Sequence, residues 1–599
     1  MFGTPQKIYE PIKNLAERAS EGYQDLVNCY FRHNPESPDN QETEVIKTKG
    51  FAQYGTAVFV PIANPGLGLS GFTPSVGTYG AVYAAWDDGT PDTQIYRYTS
   101  SVADPVSAGA TGRFATNGNT VEFEQAFDNQ YATNGVDSVL LQTGSTGVWS
   151  TPAPGAPLSG AGTVAKYLCF HNYMMFAART VNAPNKMYVS DPGTPGTFTG
   201  PVTRDFRHEI VGLKSLDSYL MIYTKKEIWA CTGTIPASLA YRLVSDQHPC
   251  VSHRSIVSVI GGAREYSATG VQSNVTEHWY LASDYVWATN GSTFRILGKE
   301  SWEGYRENLN TTRLSQAAAK FDQATGQYLL SVCTGASTAN NVTWAYDPIA
   351  DKWIEKPFYT ASAWTTYGSP TPELYFQDSA ATGKTYIANS GNGVQSQKTT
   401  LNGALTSTAL YAVVGSTTGF PTSGVIQVDN EAIAYQTVTG TKFGDNASGA
   451  NQSILTRGYC GTTPADHTTG TVVYPAMQFR YRTRNLYLNA TNLIKKFKIL
   501  WLNVMPSVIN YFLQVNVDID QQGYSTAKSI QLGTSGMVWG TDVWGDATWG
   551  SPSILLTPDN RAPLSGTGKS IKISLDESTS IQQTEITEME LLLRPKKKK

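Results

Sequence analysis

The chain has 599 residues, too long for one core on a prior of roughly 100–200 residues per domain, and 40% of them are hydrophobic, so it is globular. Only 16% are charged, against the roughly 25% usual for soluble domains, and the formal net charge of −3 argues against a protein that grips nucleic acid over its whole surface. No apolar run approaches the roughly 20 residues that span a bilayer, Met1–Lys7 leads into no apolar segment, and so neither a secretion signal nor a membrane anchor is expected.

Residues 1–50 read as a separate N-terminal segment, with a short helix over 12–19, an apolar run from Leu26 to Phe31, and Pro35 and Pro38 closing it. Residues 51–395 read as β-propeller blades with insertions. Ala57–Val60 and Ala81–Trp86 are its first expected strands, and the cleanest units lie between about 119 and 395. There, short apolar runs recur: Lys166–Phe170, Tyr173–Ala178, Lys186–Ser190, Tyr219–Tyr223, Glu227–Ala230, His278–Leu281, Tyr285–Ala288, Tyr328–Val332, Trp344–Tyr346 and Tyr386–Ala388. Units spaced by roughly 40–60 residues, each with room for three or four strands, are what the radial blades of a propeller would show, and about six or seven would fit. Asn134-Gly135 and Asn290-Gly291 mark turns of hairpin type.

Residues 396–476 change texture to a small inserted β module rich in Thr and Gly, with strands expected over Tyr411–Val414, Val425–Val428, Glu431–Tyr435, Leu455–Gly458 and Thr471–Tyr474. Residues 477–599 form a C-terminal β region whose alternating strands (Phe479–Thr483, Phe497–Trp501, Phe512–Val517, Ile586–Leu591) have one buried and one wet face. Within it, Trp-Gly recurs at Trp539, Trp544 and Trp549, a five-residue step that fits neither helix nor strand and marks a turn-rich loop. The chain ends in the basic run Lys596–Lys599.

The candidate chemistry is sparse. Gly66-Leu67-Gly68-Leu69-Ser70-Gly71 matches G-x-G-x-x-G, but Pro74 and Gly77 oppose the helix that a dinucleotide fingerprint needs, so it reads as a flexible loop. His248, Cys250 and His253 have zinc-ligand chemistry but lack a fourth ligand, and one regular strand cannot present all three on a face; a packed Cys and two surface or hydrogen-bonded His is the better reading. Asp87-Asp88-Gly89 and Asp518-Ile519-Asp520 complete no calcium-loop pattern and read as strand ends or turns. No G-x-S-x-G occurs, Gly533-Thr534-Ser535-Gly536-Met537 failing at its last position, and no Cys lies in a recognisable His context. No catalytic, cofactor or metal residues are therefore assigned and a non-enzymatic protein is expected, although two glycosidase carboxylates need not be neighbours in sequence. The six cysteines have no short paired spacing and read as buried free thiols of a chain assembled in a reducing compartment. Trp539, Trp544 and Trp549 are candidate interface residues, for core or subunit packing in one reading and for stacking on sugar rings in the other.

Three stretches carry a family resemblance: Val27-Asn28-Cys29-Tyr30, the segment from Val121 to Phe127, and the run from Gly212 to Trp229. With Trp279–Ser283 and Tyr346-Asp347-Pro348 they resemble the propeller-bearing tail nozzle, or packaged-DNA stabilisation, proteins of short-tailed bacteriophages, over roughly the first two-thirds of the chain. Thr418–Pro421, Gly424–Ile426, Glu431–Tyr435, Arg457-Gly458, Gly461–Thr463, His467 and Gly470 resemble a small β module of phage structural proteins, whose expected role is decoration or docking. The resemblance implies a homohexameric ring below a twelve-subunit head-to-tail adaptor, in the virion tail beside fibres or spikes. That ring would be assembled in the host cytoplasm, line the DNA exit channel, retain packaged DNA and open for ejection. Weak surface charge suits this, because many Lys and Arg phosphate contacts would hold the DNA. The competing expectation is a carbohydrate-binding or carbohydrate-active propeller; a trimeric receptor-binding fibre is a third, for which no fibre repeat is visible.

Overall fold

The computed structural model describes residues 8–12, 26–33, 43–54, 65–75, 80–87, 92–99, 102–107, 113–144, 147–151, 155–200, 202–260, 276–368, 371–380, 383–390, 399–418, 420, 423–429, 431–444, 455–459, 463–475, 477, 479–487, 493–504, 511–532, 561–577 and 584–596. They fall into two compact units, residues 53–388 in one and residues 1–52 with 389–599 in the other. The chain is mostly β: a β-propeller, a small inserted β module and a C-terminal β-rich region.

In residues 53–388, seven antiparallel sheets follow one another among the described residues: blade 1 (68–114), blade 2 (122–150), blade 3 (167–205), blade 4 (210–245), blade 5 (257–296), blade 6 (318–356) and blade 7 (361–388). Blades 2 to 6 are four-stranded meanders in sequence order. Their middle strands are apolar on both sides because each is covered by a neighbouring blade on either face; Met174–Ala178 and Gln327–Val332 are buried throughout. The hydrophobic clusters accordingly sit between blades. Trp279, Trp302, Tyr328, Trp344 and Trp353 fill the space between blades 5 and 6, and Met174, Phe176, Leu213, Leu220 and Ile222 fill that between blades 3 and 4.

The ring is closed by hydrogen bonds between its ends. Tyr54 N–H donates to Thr385 O at 2.8 Å, so the start of the unit lies along the edge of blade 7. Gly71 N–H donates to Thr365 Oγ1 at 2.7 Å, and Gln377 accepts from Gly68 N–H at 3.0 Å while donating to Ala85 O at 2.8 Å, joining blade 7 to blade 1. Radial repetition of this kind leaves only short strand edges at the blades' outer rims.

The tight turns follow from residue type. Asn172 and Tyr173 both have positive φ (47° and 62°) in the two-residue turn between Tyr167–His171 and Met174–Ala178, the geometry that matches strand twist. Asn134 and Asn290 instead hold longer turns, each Oδ1 accepting two backbone N–H groups, with Gly135 and Gly291 at positive φ.

One expectation is overturned. The glycine-rich stretch 66–71 is not a flexible loop: Gly68–Phe72 is the first strand of blade 1. Its glycines permit close approach of neighbouring backbone, since a Cβ on Gly68 would stand 2.2 Å from Val121 O and one on Gly71 2.2 Å from Thr366 O. Of the expected helix over 12–19, Ile12 instead ends the strand Ile8–Ile12; residues 13–19, the expected strand 57–60 and Trp539, Trp544 and Trp549 lie outside the described residues.

In the other unit the N-terminal residues pair with C-terminal ones. Ile8–Ile12 and Thr43–Lys47 pair with Glu585–Pro595, and Leu26–Val27 pairs with Phe479–Arg482. Lys495–Val504 and Arg561–Gly568 alternate buried with more exposed positions, as a sheet with one buried face requires. Lys47 Nζ meets Glu577 Oε2 at 2.5 Å with both side chains buried, pairing two charges that neither could hold alone. The module within 399–475 has a four-stranded and a three-stranded sheet around Leu401, Phe420, Ile426, Ile433, Tyr435 and Phe443.

Candidate functional site

The first strands of the blades surround the propeller axis, and between them lies a cavity of about 710 Å³. Leu69, Ser70 and Gly71 of blade 1, Glu122, Phe123 and Glu124 of blade 2, Lys214 of blade 4, Val257 and Ser258 of blade 5, Lys320 and Phe321 of blade 6 and Trp364 to Thr366 of blade 7 line it, with His253 and Arg254 from the turn before blade 5. Strand alternation explains why charged side chains reach the axis from otherwise apolar strands: Glu122 and Glu124 share one face, as do Lys320 and Ala318.

Arg254 crosses this cavity. Its Nε donates to Glu122 Oε1 at 2.8 Å, one terminal nitrogen donates to Leu67 O at 2.5 Å and Val121 O at 2.8 Å, and the other to Ser362 O at 3.3 Å. One side chain from between blades 4 and 5 thus ties blades 1, 2 and 7. The planar fork of guanidinium donors suits several fixed acceptors at once.

Burial works against the Glu122 carboxylate, but Arg254, His253 and Lys166 together hold its pKa below the ordinary value. Glu124 is shifted the other way: burial raises it, opposed by Lys214 and by Phe170 N–H, which donates to Glu124 Oε1 at 2.7 Å. Burial pushes His253 down to about 4 despite Glu122, so its imidazole is neutral near pH 7. Burial, with repulsion from Lys214, pulls Lys320 down to about 8. Neither Lys214 nor Lys320 makes a hydrogen bond or ion pair among the described residues.

The structure separates the three zinc-type residues. Cys250 is buried, its Sγ directed at Ser252 O at 3.2 Å; His248 stacks on Trp287 with centroids 3.8 Å apart; His253 faces the axis against Tyr167, 4.7 Å away. Among the described residues no group of three His, Cys, Asp or Glu side chains could hold a metal. Asp87 ends a strand and accepts from Thr93 Oγ1 and Gly118 N–H. Asp518 accepts from Gly523 N–H, and Asp520 from Lys569 and Ser570 N–H. These carboxylates organise turns.

A second polar cluster lies in the module. Glu431 is 1% exposed; Arg457 grips it with Nε to Oε1 at 2.7 Å and a terminal nitrogen to Oε2 at 2.6 Å, while Gly458 and Ala465 N–H donate to the same carboxylate. His467 bridges Glu431 Oε2 at 2.9 Å and Asp429 Oδ2 at 2.7 Å. Burial would raise the Glu431 pKa, but Arg457, His467 and the backbone donors hold it at about 2. Saturation of both carboxylate oxygens makes this a structural clasp. The sequence singled out Glu431, Arg457-Gly458 and His467 only through resemblance, and Arg254, Lys214 and Lys320 not as site residues. The available signal for Lys214 and Lys320 was a charge interrupting the first strand of a blade, as in Ile210–Leu216; Arg254, in a short turn, had none.

No family model and no curated protein matches this chain. Solved structures similar to it include the extracellular domain of a hybrid two-component system from B. thetaiotaomicron, at 9% identity and TM-score 0.35, covering 65% of this chain and 46% of that one. The Pan2 WD40 domain of Neurospora crassa is similar at 12% identity and TM-score 0.34, covering 58% of this chain and 98% of that one. The RRP9 WD40 repeats are similar at 8% identity and TM-score 0.35, with 57% and 99% covered. This chain spans under half the length of the first of these. At such identities and TM-scores the likeness says nothing of what this chain does.

Proposed function

We propose that this chain is a non-enzymatic structural protein of a short-tailed phage virion, a tail nozzle that forms a ring below the head-to-tail adaptor, lines the DNA exit channel, retains packaged DNA and opens for ejection. The observation that carries the reading is where the resembling segments fall. Val121–Phe127 spans the axial strand and first turn of blade 2, and Gly212–Trp229 the first hairpin of blade 4, so the resemblance touches residues that build the propeller.

The geometry constrains how such a nozzle would work. Duplex DNA, with a major groove alone about 12 Å wide, cannot thread an axis crossed by Arg254. A DNA passage therefore has to lie between copies of the chain, which a homohexamer supplies. Negative-stain microscopy and mass photometry of the purified protein, alone and with the matching adaptor ring, test this. Six-fold rings that form or tighten on the adaptor support it; a stable monomer indifferent to the adaptor overturns it.

A further inference from the structure

We propose that the axial cavity is a binding site for a small oxyanion, carrying phosphate or carboxylate groups on a compact body, held by the ammonium groups of Lys214 and Lys320. The other charged or titratable groups of the wall are Glu122, Glu124, His253 and Arg254. Arg254 is saturated by Glu122 and three carbonyls, and Glu122 is committed to it. Glu124 accepts the Phe170 amide. The two lysines, on blades 4 and 6, repel one another; neither makes a hydrogen bond or ion pair among the described residues, and the one uncommitted carboxylate near them, Glu124, attracts Lys214 only at longer range. Two cations facing one space are costly unless an anion neutralises them.

The cavity, about 710 Å³, is larger than bare phosphate needs and falls in the range of small-molecule pockets, roughly 300–1,000 Å³. Leu69, Phe123 and Trp364 give apolar wall for a carbon body, and Thr366 adds a hydroxyl that no group among the described residues engages. The inference does not depend on the virion reading, and each is tested without the other.

Isothermal titration calorimetry on the full chain at low ionic strength and pH 7, with inorganic phosphate in one arm and citrate in the other, tests it and distinguishes phosphate from carboxylate ligands. We expect saturable binding of at least one probe with Kd below about 1 mM. Lys320→Met and Lys214→Met each weaken it about tenfold or more, the loss of one charge-assisted contact, while Lys320→Arg retains it and Lys299→Met, on an exposed helical position, leaves it unchanged. Binding of the unsubstituted chain weakens as pH rises through about 8, where Lys320 loses its proton. Absence of saturable heat with both probes, or equal affinity in the two Met variants and the parent, overturns the proposal.

Discussion

Arg254→Met tests the claim that one side chain locks the ring at its axis. The substitution keeps the aliphatic stem but leaves the Glu122 carboxylate and the carbonyls of Leu67, Val121 and Ser362 without their donor. Breaking a buried ion pair by removing one partner costs about 3–5 kcal/mol. Arg254 and Glu122 are 13% and 16% exposed, so some water reaches them and the lower end, about 3 kcal/mol, is expected. At about 2.1 cal/mol/K of unfolding entropy per residue, a unit spanning 53–388 then melts roughly 4–7 °C lower across that energy range. Differential scanning calorimetry on the full chain reads the shift, and hydrogen exchange should localise it to 67–72, 121–126 and 361–367. Adding Glu122→Gln should recover a substantial part, because it removes the stranded charge. The Glu122 pKa is lower folded than unfolded, so its contribution is complete above the ordinary carboxyl range and is lost as pH falls through the folded value. The difference between the parent and Arg254→Met should therefore shrink below about pH 4. A variant melting within about 1 °C of the parent at pH 7, with unchanged exchange in those strands, refutes the lock.

Glu431→Gln should destabilise the module by about 3 kcal/mol, the value of lowering its pKa from 4.5 to about 2 at about 1.36 kcal/mol per unit. That stability is present above about pH 4.5 and lost as pH falls toward 2; exchange at 424–435 and 455–475 reads it, and a variant with unchanged protection there contradicts the clasp. Burial pushes His278 down to about 3, and its neutral ring donates from Nε2 to Ser215 O and accepts at Nδ1 from Tyr223 O–H. The unfolded imidazole takes up its proton near pH 6.5 and the folded one does not, so propeller melting temperature should fall as pH drops from about 6.5 toward 3, with a shallower slope in His278→Gln; parallel slopes would exclude His278 as a cause. The described cysteines are all buried and free, with burial raising Cys231 to about 11, Cys250 to about 12 and Cys169 further. An alkylating reagent at pH 8 should leave Cys169, Cys231 and Cys250 unmodified in the native protein and label them in urea; rapid native labelling would contradict that burial.

What the sequence discloses of this fold depends on how many faces of a strand are buried. Tyr219–Thr224 and Glu277–Leu281 lie between neighbouring blades and so spell nearly continuous apolar runs, which is why the repeat is visible. The outer strand Val202–Asp205 is exposed at every position, Ala240–Ser245 has no fully buried one, and neither has a hydrophobic pattern to read. Gly68–Phe72 hides for the opposite reason: its neighbours come so close that only glycine fits at two positions, and glycine reads as loop.

The axial site is a harder case, because its chemistry is assembled from residues far apart in sequence. Arg254 lies in a short turn, and nothing local says that it reaches residues 67, 121, 122 and 362; those acceptors are brought together only when blade 7 meets blade 1. The charged axial residues do leave a trace, since Glu124, Lys214 and Lys320 each interrupt an axial strand. On a solvated sheet face such a residue is unremarked. Once the ring is known to close, the same position points at the axis, where Lys214 and Lys320 make no hydrogen bond or ion pair among the described residues and two ammonium groups face one uncommitted carboxylate, Glu124.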